Sequence, residues 1–135
     1  MLKEAAVAYY QKGYNCAESM IRAGNDVYQL GLHDHDMKMT GAFGGGFQIG
    51  DVCGALSGAA CVISSRYVET KAHDCNDLRA LTQKLVITFQ KRMGSRLCSQ
   101  IKPHFHSAEL GCENTVAISA EVLEQVIQEW DTSIK

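Results

Sequence analysis

The chain has 135 residues, 46% of them hydrophobic and 21% charged, with a formal net charge of −2. That suffices for one domain with its own core and lacks the basic excess that nucleic-acid binding calls for. No stretch approaches the ~20 apolar residues of a membrane span, and the opening Met1-Leu2-Lys3-Glu4-Ala5-Ala6 has no apolar run of the signal-peptide kind. The cytoplasm is therefore the expected compartment, and neither nucleic acid nor membrane is an expected partner. There is one proline and no Ser/Gly-rich linker, so residues 1–135 read as a single domain. Six cysteines in such a setting point to reduced thiols, metal ligands or catalytic cysteines, not to a static disulfide framework.

The pattern is helical nearly throughout. Leu2 to Lys12 has helix-forming composition, with Gly13 placed to end it. Asn15 with Glu18 three residues on has the form of a capping box for a helix from Cys16 to Leu30, stopped by Gly31. Met20, Ala23, Val27 and Leu30 keep helical spacing there, while Gly24 and Asn25 weaken the middle. His33-Asp34-His35-Asp36 reads as a polar turn and cap, most simply a solvated loop, followed by a short helix or irregular piece from Met37 to about Phe43. The run from Gly41 to Gly50, with Gly44-Gly45-Gly46 at its centre, is the least regular part of the chain. Asp51 is the expected cap of a helix from Val52 to about Val68, and a longer helix spans Asp74 to Met93, ending at Gly94. Ser95 is placed to cap a short helix through Cys98 to Ile101, which Pro103 stops. The last helix runs from about Glu113 to Trp130. Strand signals are poor, since Val62-Ile63 and Val86-Ile87 sit inside helical patterns without hairpin turns. The expected fold is all-α, a single-domain bundle of about five to six helices with a glycine-rich loop.

Four cysteines fall at or near expected helix starts: Cys16, Cys53, Cys98 and Cys112. A helix N-terminus offers unpaired N–H groups and about half a unit of positive charge. Such a setting favours the thiolate, which is both nucleophile and metal ligand, so lowered thiol pKa values are expected at these four. Cys61, within Ala59-Ala60-Cys61-Val62-Ile63, reads as a buried small hydrophobe, and Cys75 as a spectator. The most specific stretch is Cys53-Gly54-Ala55-Leu56-Ser57-Gly58. Two glycines inside a helix cost about 1 kcal/mol each against alanine. A helix carries that cost when another helix, or a cofactor, approaches its backbone at Gly54 and Gly58.

With Cys16, Cys98 and Cys112 in order around that CGAxxG stretch, the chain resembles the redox-active protein family labelled C_GCAxxG_C_C. The resemblance extends over nearly the whole chain, from Asn15-Cys16-Ala17-Glu18 through the glycine loop to the last helix. It implies redox activity without an assigned reaction, and it carries over to Cys16, Cys53, Cys98 and Cys112 one by one. Cys61 and Cys75 inherit nothing from it.

Three chemistries stand open. The first is thiol–disulfide exchange, with Cys53 the attacking thiol because its cap and glycines leave it accessible, and with a resolving partner that spacing does not reveal. There is no Cys-x-x-Cys, which sets the chain apart from thioredoxin-like sites. The second is a four-thiolate metal site on Cys16, Cys53, Cys98 and Cys112, holding an iron–sulfur cluster or zinc for electron transfer or structure. Gly54 and Gly58 would then let backbone approach the cofactor, and His104 and His106 are further candidate ligands if their segment is extended. The third is a non-enzymatic helical interaction module with the cysteines in its core. The partner expected for either redox chemistry is a redox protein or a small thiol, with a homo-oligomer left open. Gly44-Gly45-Gly46 lacks the Lys-Ser/Thr of a phosphate loop, and Tyr9, Tyr10, Tyr14 and Met20 fit core or interface positions.

Overall fold

A computed structural model describes residues 1–133. The described residues form seven α-helices and, in place of strands, two isolated β-bridges. The helices are α1 (Leu2–Gln11), α2 (Cys16–Tyr28), α3 (Asp34–Lys38), α4 (Gly54–Tyr67), α5 (Leu78–Met93), α6 (Cys98–Phe105) and α7 (Glu113–Ser133). The bundle is all-α as expected, with one more helix than the count above.

α2 lies most extensively against α4, α1 packs on both α2 and α7, and α5 closes against α4 and α7. The shared core holds Leu2, Met20, Val62, Leu85, Phe89 and Leu123, all 1% exposed or less. Small residues set the α2–α4 distance. A Cβ placed on Gly24 would lie 2.5 Å from Val62 Cγ2, and one on Gly58 would lie 2.6 Å from the Ala17 carbonyl oxygen and 2.9 Å from Met20 Cβ. Gly24 does interrupt helix propensity within α2, but it is also where α4 seats a valine.

The Asn15–Glu18 capping box forms as the sequence indicates: Glu18 N–H donates to Asn15 Oδ1 and Asn15 N–H to Glu18 Oε1, both at 3.0 Å. Asn15 Nδ2 also donates to the Gly41 carbonyl at 2.9 Å, which ties the glycine loop to the start of α2. That loop contains a 3₁₀ turn (Gly41–Phe43) and a π-helical turn (Gly46–Gly50). Gly45, Gly46, Phe47 and Gln48 have φ of 63°, 62°, 57° and 64°, a left-handed run in which two members are not glycine. An edge-on contact between Phe43 and Phe47, with ring centroids 5.3 Å apart, braces it.

Several boundaries differ from the sequence reading. The polar turn at His33–Asp36 is itself the start of a helix, α3, with Asp36 accepting from the His33 N–H at 3.0 Å. Gln29, at φ 53°, ends α2 ahead of Gly31. Asp51 does not cap α4; Cys53 is the residue before its first turn. The Asp51 carbonyl instead accepts from Cys98 N–H at 2.7 Å, while Cys53 N–H donates to Arg96 O at 2.8 Å, framing the antiparallel bridge Val52–Leu97. α6 runs through Pro103 to Phe105. In this short helix the proline forfeits one N–H, toward Ser99, at an exposed position near the end, where the loss is small. Ser95 sits three residues ahead of the first residue of α6 and braces it indirectly, accepting from Leu97 N–H at 3.1 Å.

Candidate functional site

The four cysteines of the motif come to one place. Cys16 opens α2, Cys53 immediately precedes α4, Cys98 opens α6 and Cys112 immediately precedes α7, so the expected placement at helix starts is what the fold contains. Together they line a cavity of about 400 Å³. Tyr10, Tyr14, Asn15, Gly45, Lys102 and Thr115 complete much of its wall. Cys61, half-buried within α4, and Cys75, whose Sγ meets the Tyr67 carbonyl at 3.5 Å, lie elsewhere. All six cysteines are free thiols.

Local structure explains the convergence of three of them. The Val52–Leu97 bridge holds the backbones of Cys53 and Cys98 together, and by strand alternation the two residues project to the same side of it. Gly54 admits Cys16: a Cβ on Gly54 would lie 2.5 Å from Cys16 Sγ and 2.9 Å from the Phe43 carbonyl oxygen. The two glycines of the motif therefore have different tasks. Gly58 serves a helix crossing, whereas Gly54 serves the thiol site.

Burial grades the four. Cys53, Cys98 and Cys16 are 4%, 7% and 8% exposed, while Cys112 is half-buried. The expectation that Cys53 is the accessible thiol is overturned by that burial. The expectation of lowered pKa values is corrected as well. Desolvation pushes the Cys53 thiol up to about 12, with neighbouring Cys16 adding to it and the Ala55 and Leu56 N–H groups opposing. Cys16 is also pushed up, mainly by burial, against the N–H groups of Gly45 and Ala17. At these helix starts the dipole and amides act as supposed, but loss of water outweighs them. Cys112 is raised by burial too, yet it alone of these three has a cation, Lys102, and a phenol, Tyr10, pulling it down. Cys98 acts electrostatically on each of the other three.

Tyr10 is a site residue that sequence reasoning assigned to core or interface. Its Oη accepts from the Cys112 N–H at 2.7 Å, pinning the turn before α7 onto α1. Burial raises its own pKa. Nothing local in the sequence links positions 10 and 112. Lys102, one helical turn beyond Cys98, was likewise unread.

His104 and His106 are exposed and are not among the cavity-lining residues. Their segment is helical up to Phe105, not extended, which removes the basis for pairing them with Cys98 and Cys112. Among the described residues no three His, Cys, Asp or Glu side chains stand close enough together to hold a metal ion. The four thiols share a cavity without forming a ligand set as arranged. No helix among the described residues is long and apolar enough to cross a membrane.

Neither the curated proteins nor the solved structures compared with the chain match it. The family model described as "Putative redox-active protein (C_GCAxxG_C_C)" matches residues 14–126, a span that takes in all four cavity cysteines, and the chain belongs to that family.

Proposed function

We propose that the chain is a thiol–disulfide redox protein whose four cavity cysteines work as one site. The observation that carries this reading is the convergence itself: four thiols from positions 16 to 112 line one cavity, and the two cysteines outside the family pattern do not. Cys112 is the entry thiol, being the least buried and the one beside Lys102 and Tyr10. Its thiolate attacks one sulfur of a disulfide substrate. The substrate S–S bond breaks, a mixed disulfide forms at Cys112, and the departing thiolate takes a proton from solvent. The Cys98 thiolate then attacks Cys112 Sγ and releases the second half as a thiol. The substrate gains two electrons and two protons, and the protein gives them up as Cys98 and Cys112 become a disulfide. Two further exchanges carry that oxidation to the inner pair: the Cys53 thiolate attacks Cys98 Sγ and frees Cys112, and the Cys16 thiolate then attacks Cys53 Sγ and frees Cys98.

The test is anaerobic purification followed by metal analysis, visible spectroscopy and disulfide mapping after exposure to a disulfide oxidant. The expected sample is colourless and metal-free, with bonds only among Cys16, Cys53, Cys98 and Cys112. Stoichiometric iron or zinc on the four thiols, or oxidation confined to Cys61 and Cys75, overturns the reading; iron with a brown colour would assign the site to electron transfer through a cluster.

A further inference from the structure

We propose, resting on the thiol-exchange reading above, that the cavity takes a low-molecular-weight disulfide bearing negative charge, selected by Lys102. Its volume, about 400 Å³, lies in the range of small-molecule sites. The wall is chemically one-sided. Neutral donors and acceptors come from Tyr10, Tyr14, Asn15 and Thr115; among the described residues no Asp or Glu lines it, and Lys102 is its single cation.

Lys102 is well placed to meet an anion. It lies four residues after Cys98 on α6, hence on the same face one turn along. It is exposed, and it has no ion pair among the described residues, unlike Lys71, Lys84, Arg22, Arg66 and Arg92. It also lies near enough to Cys112 to favour that thiolate. A carboxylate on the substrate would meet the lysine ammonium while the substrate sulfur meets Cys112. The exchange is the one written above: one S–S bond is broken for each one formed, and the substrate leaves as two anionic thiols. A cationic disulfide meets the same lysine as a repulsion, so the lysine discriminates by sign.

The experiment uses the full reduced chain and three disulfides of similar size: 3,3′-dithiodipropionate (anionic), bis(2-hydroxyethyl) disulfide (neutral) and cystamine (cationic). Formation of the mixed disulfide at Cys112 is followed by mass spectrometry, each rate divided by that disulfide's rate with free 2-mercaptoethanol. At low salt the expected order is anionic over neutral over cationic, by about fivefold per step for one charge pair near solvent. The steps shrink as salt is raised. Lys102→Gln slows all three, because Cys112 loses its cation, and also abolishes the order; Lys102→Arg keeps the order and Lys102→Glu reverses it. A merely structural lysine would change rates without changing the order. An order absent in the parent, or intact in Lys102→Gln, overturns this inference alone. Failure of all three disulfides to oxidise the folded protein overturns the thiol-exchange reading beneath it.

Discussion

Substituting alanine at Gly58 and at Gly54 separately tests whether the two motif glycines have different tasks. At Gly58 the new methyl would lie 2.6 Å from the Ala17 carbonyl oxygen and 3.0 Å from Ala17 Cα. Those are backbone atoms of α2, so no rotamer change makes room, and the α2–α4 crossing must open. Overpacking of this kind costs about 1–3 kcal/mol. Alanine returns about 1 kcal/mol of helix propensity at an interior position, so the net loss reaches about 2 kcal/mol where backbone cannot yield. For a chain of this size a loss of that extent lowers the thermal midpoint by up to roughly 7 °C. At Gly54 the nearest atom is Cys16 Sγ at 2.5 Å. Gly54→Ala displaces that thiol or the loop carbonyl of Phe43, so its signature includes the site. Urea denaturation gives the stability of each variant, and timed iodoacetamide labelling read by mass spectrometry gives each thiol's reactivity. The expected result is a destabilised Gly58→Ala with the parent's labelling order, and a Gly54→Ala in which Cys16 labels faster. A Gly58→Ala protein as stable as the parent, or a Gly54→Ala protein with unchanged Cys16 labelling, refutes the division of labour.

Three further outcomes are expected. Tyr10→Phe removes the acceptor of the Cys112 N–H bond and a donor to its sulfur, costing about 1 kcal/mol; Cys112 labelling at mildly alkaline pH should slow, and an unchanged rate would show that the phenol does not reach the thiol. Burial at Cys53 makes stability fall in alkali. The unfolded thiol releases its proton from about 9, while the folded one keeps it to about 12, so the contribution is complete below 9 and lost through 12. It amounts to something on the order of 4 kcal/mol. Cys53→Ala should flatten the decline of denaturation midpoint over that window, and an unaltered slope counts against the assignment. Asn15→Ala deletes the capping box and the bond to Gly41, with an expected loss of about 1 kcal/mol in denaturation and faster proteolytic cleavage within residues 41–50; cleavage at the parent rate would mean that the loop does not depend on this tether.

The features legible in the sequence are those that local chemistry decides. The Asn15–Glu18 box, Gly94 after α5 and the start of α7 at Glu113 each need only neighbouring residues, and each is in the structure. The four thiols were recognisable because the CGAxxG stretch is local; the place of Cys16 at a helix start followed from the Asn15 cap, while Cys53 and Cys98 stand at helix starts that Asp51 and Ser95 do not cap. What was illegible depends on distant partners. Asp51 looks like a cap, but its carbonyl is engaged by Cys98. Cys53 looked accessible because nothing in its own segment reveals the core packing that buries it. The pKa expectation failed for the same reason: a helix start is readable, while the water lost on packing is not. Tyr10 reaches the site only through tertiary structure, while Lys102 shares the Cys98 face of α6 by helical spacing, in a helix expected to stop before Pro103.

The Val52–Leu97 bridge has a bearing on how this site tolerates change. Two of its thiols are held in mutual register by main-chain atoms alone, through the Cys53 N–H to Arg96 and the Cys98 N–H to Asp51. Substitutions at positions 51, 52, 96 and 97 can therefore alter charge and size while the spacing of Cys53 and Cys98 stays constant, because the accepting carbonyls of Asp51 and Arg96 are main-chain groups that any residue supplies. The spacing of these two reactive centres is thus insulated from the identity of the side chains at four positions that lie outside the cavity wall.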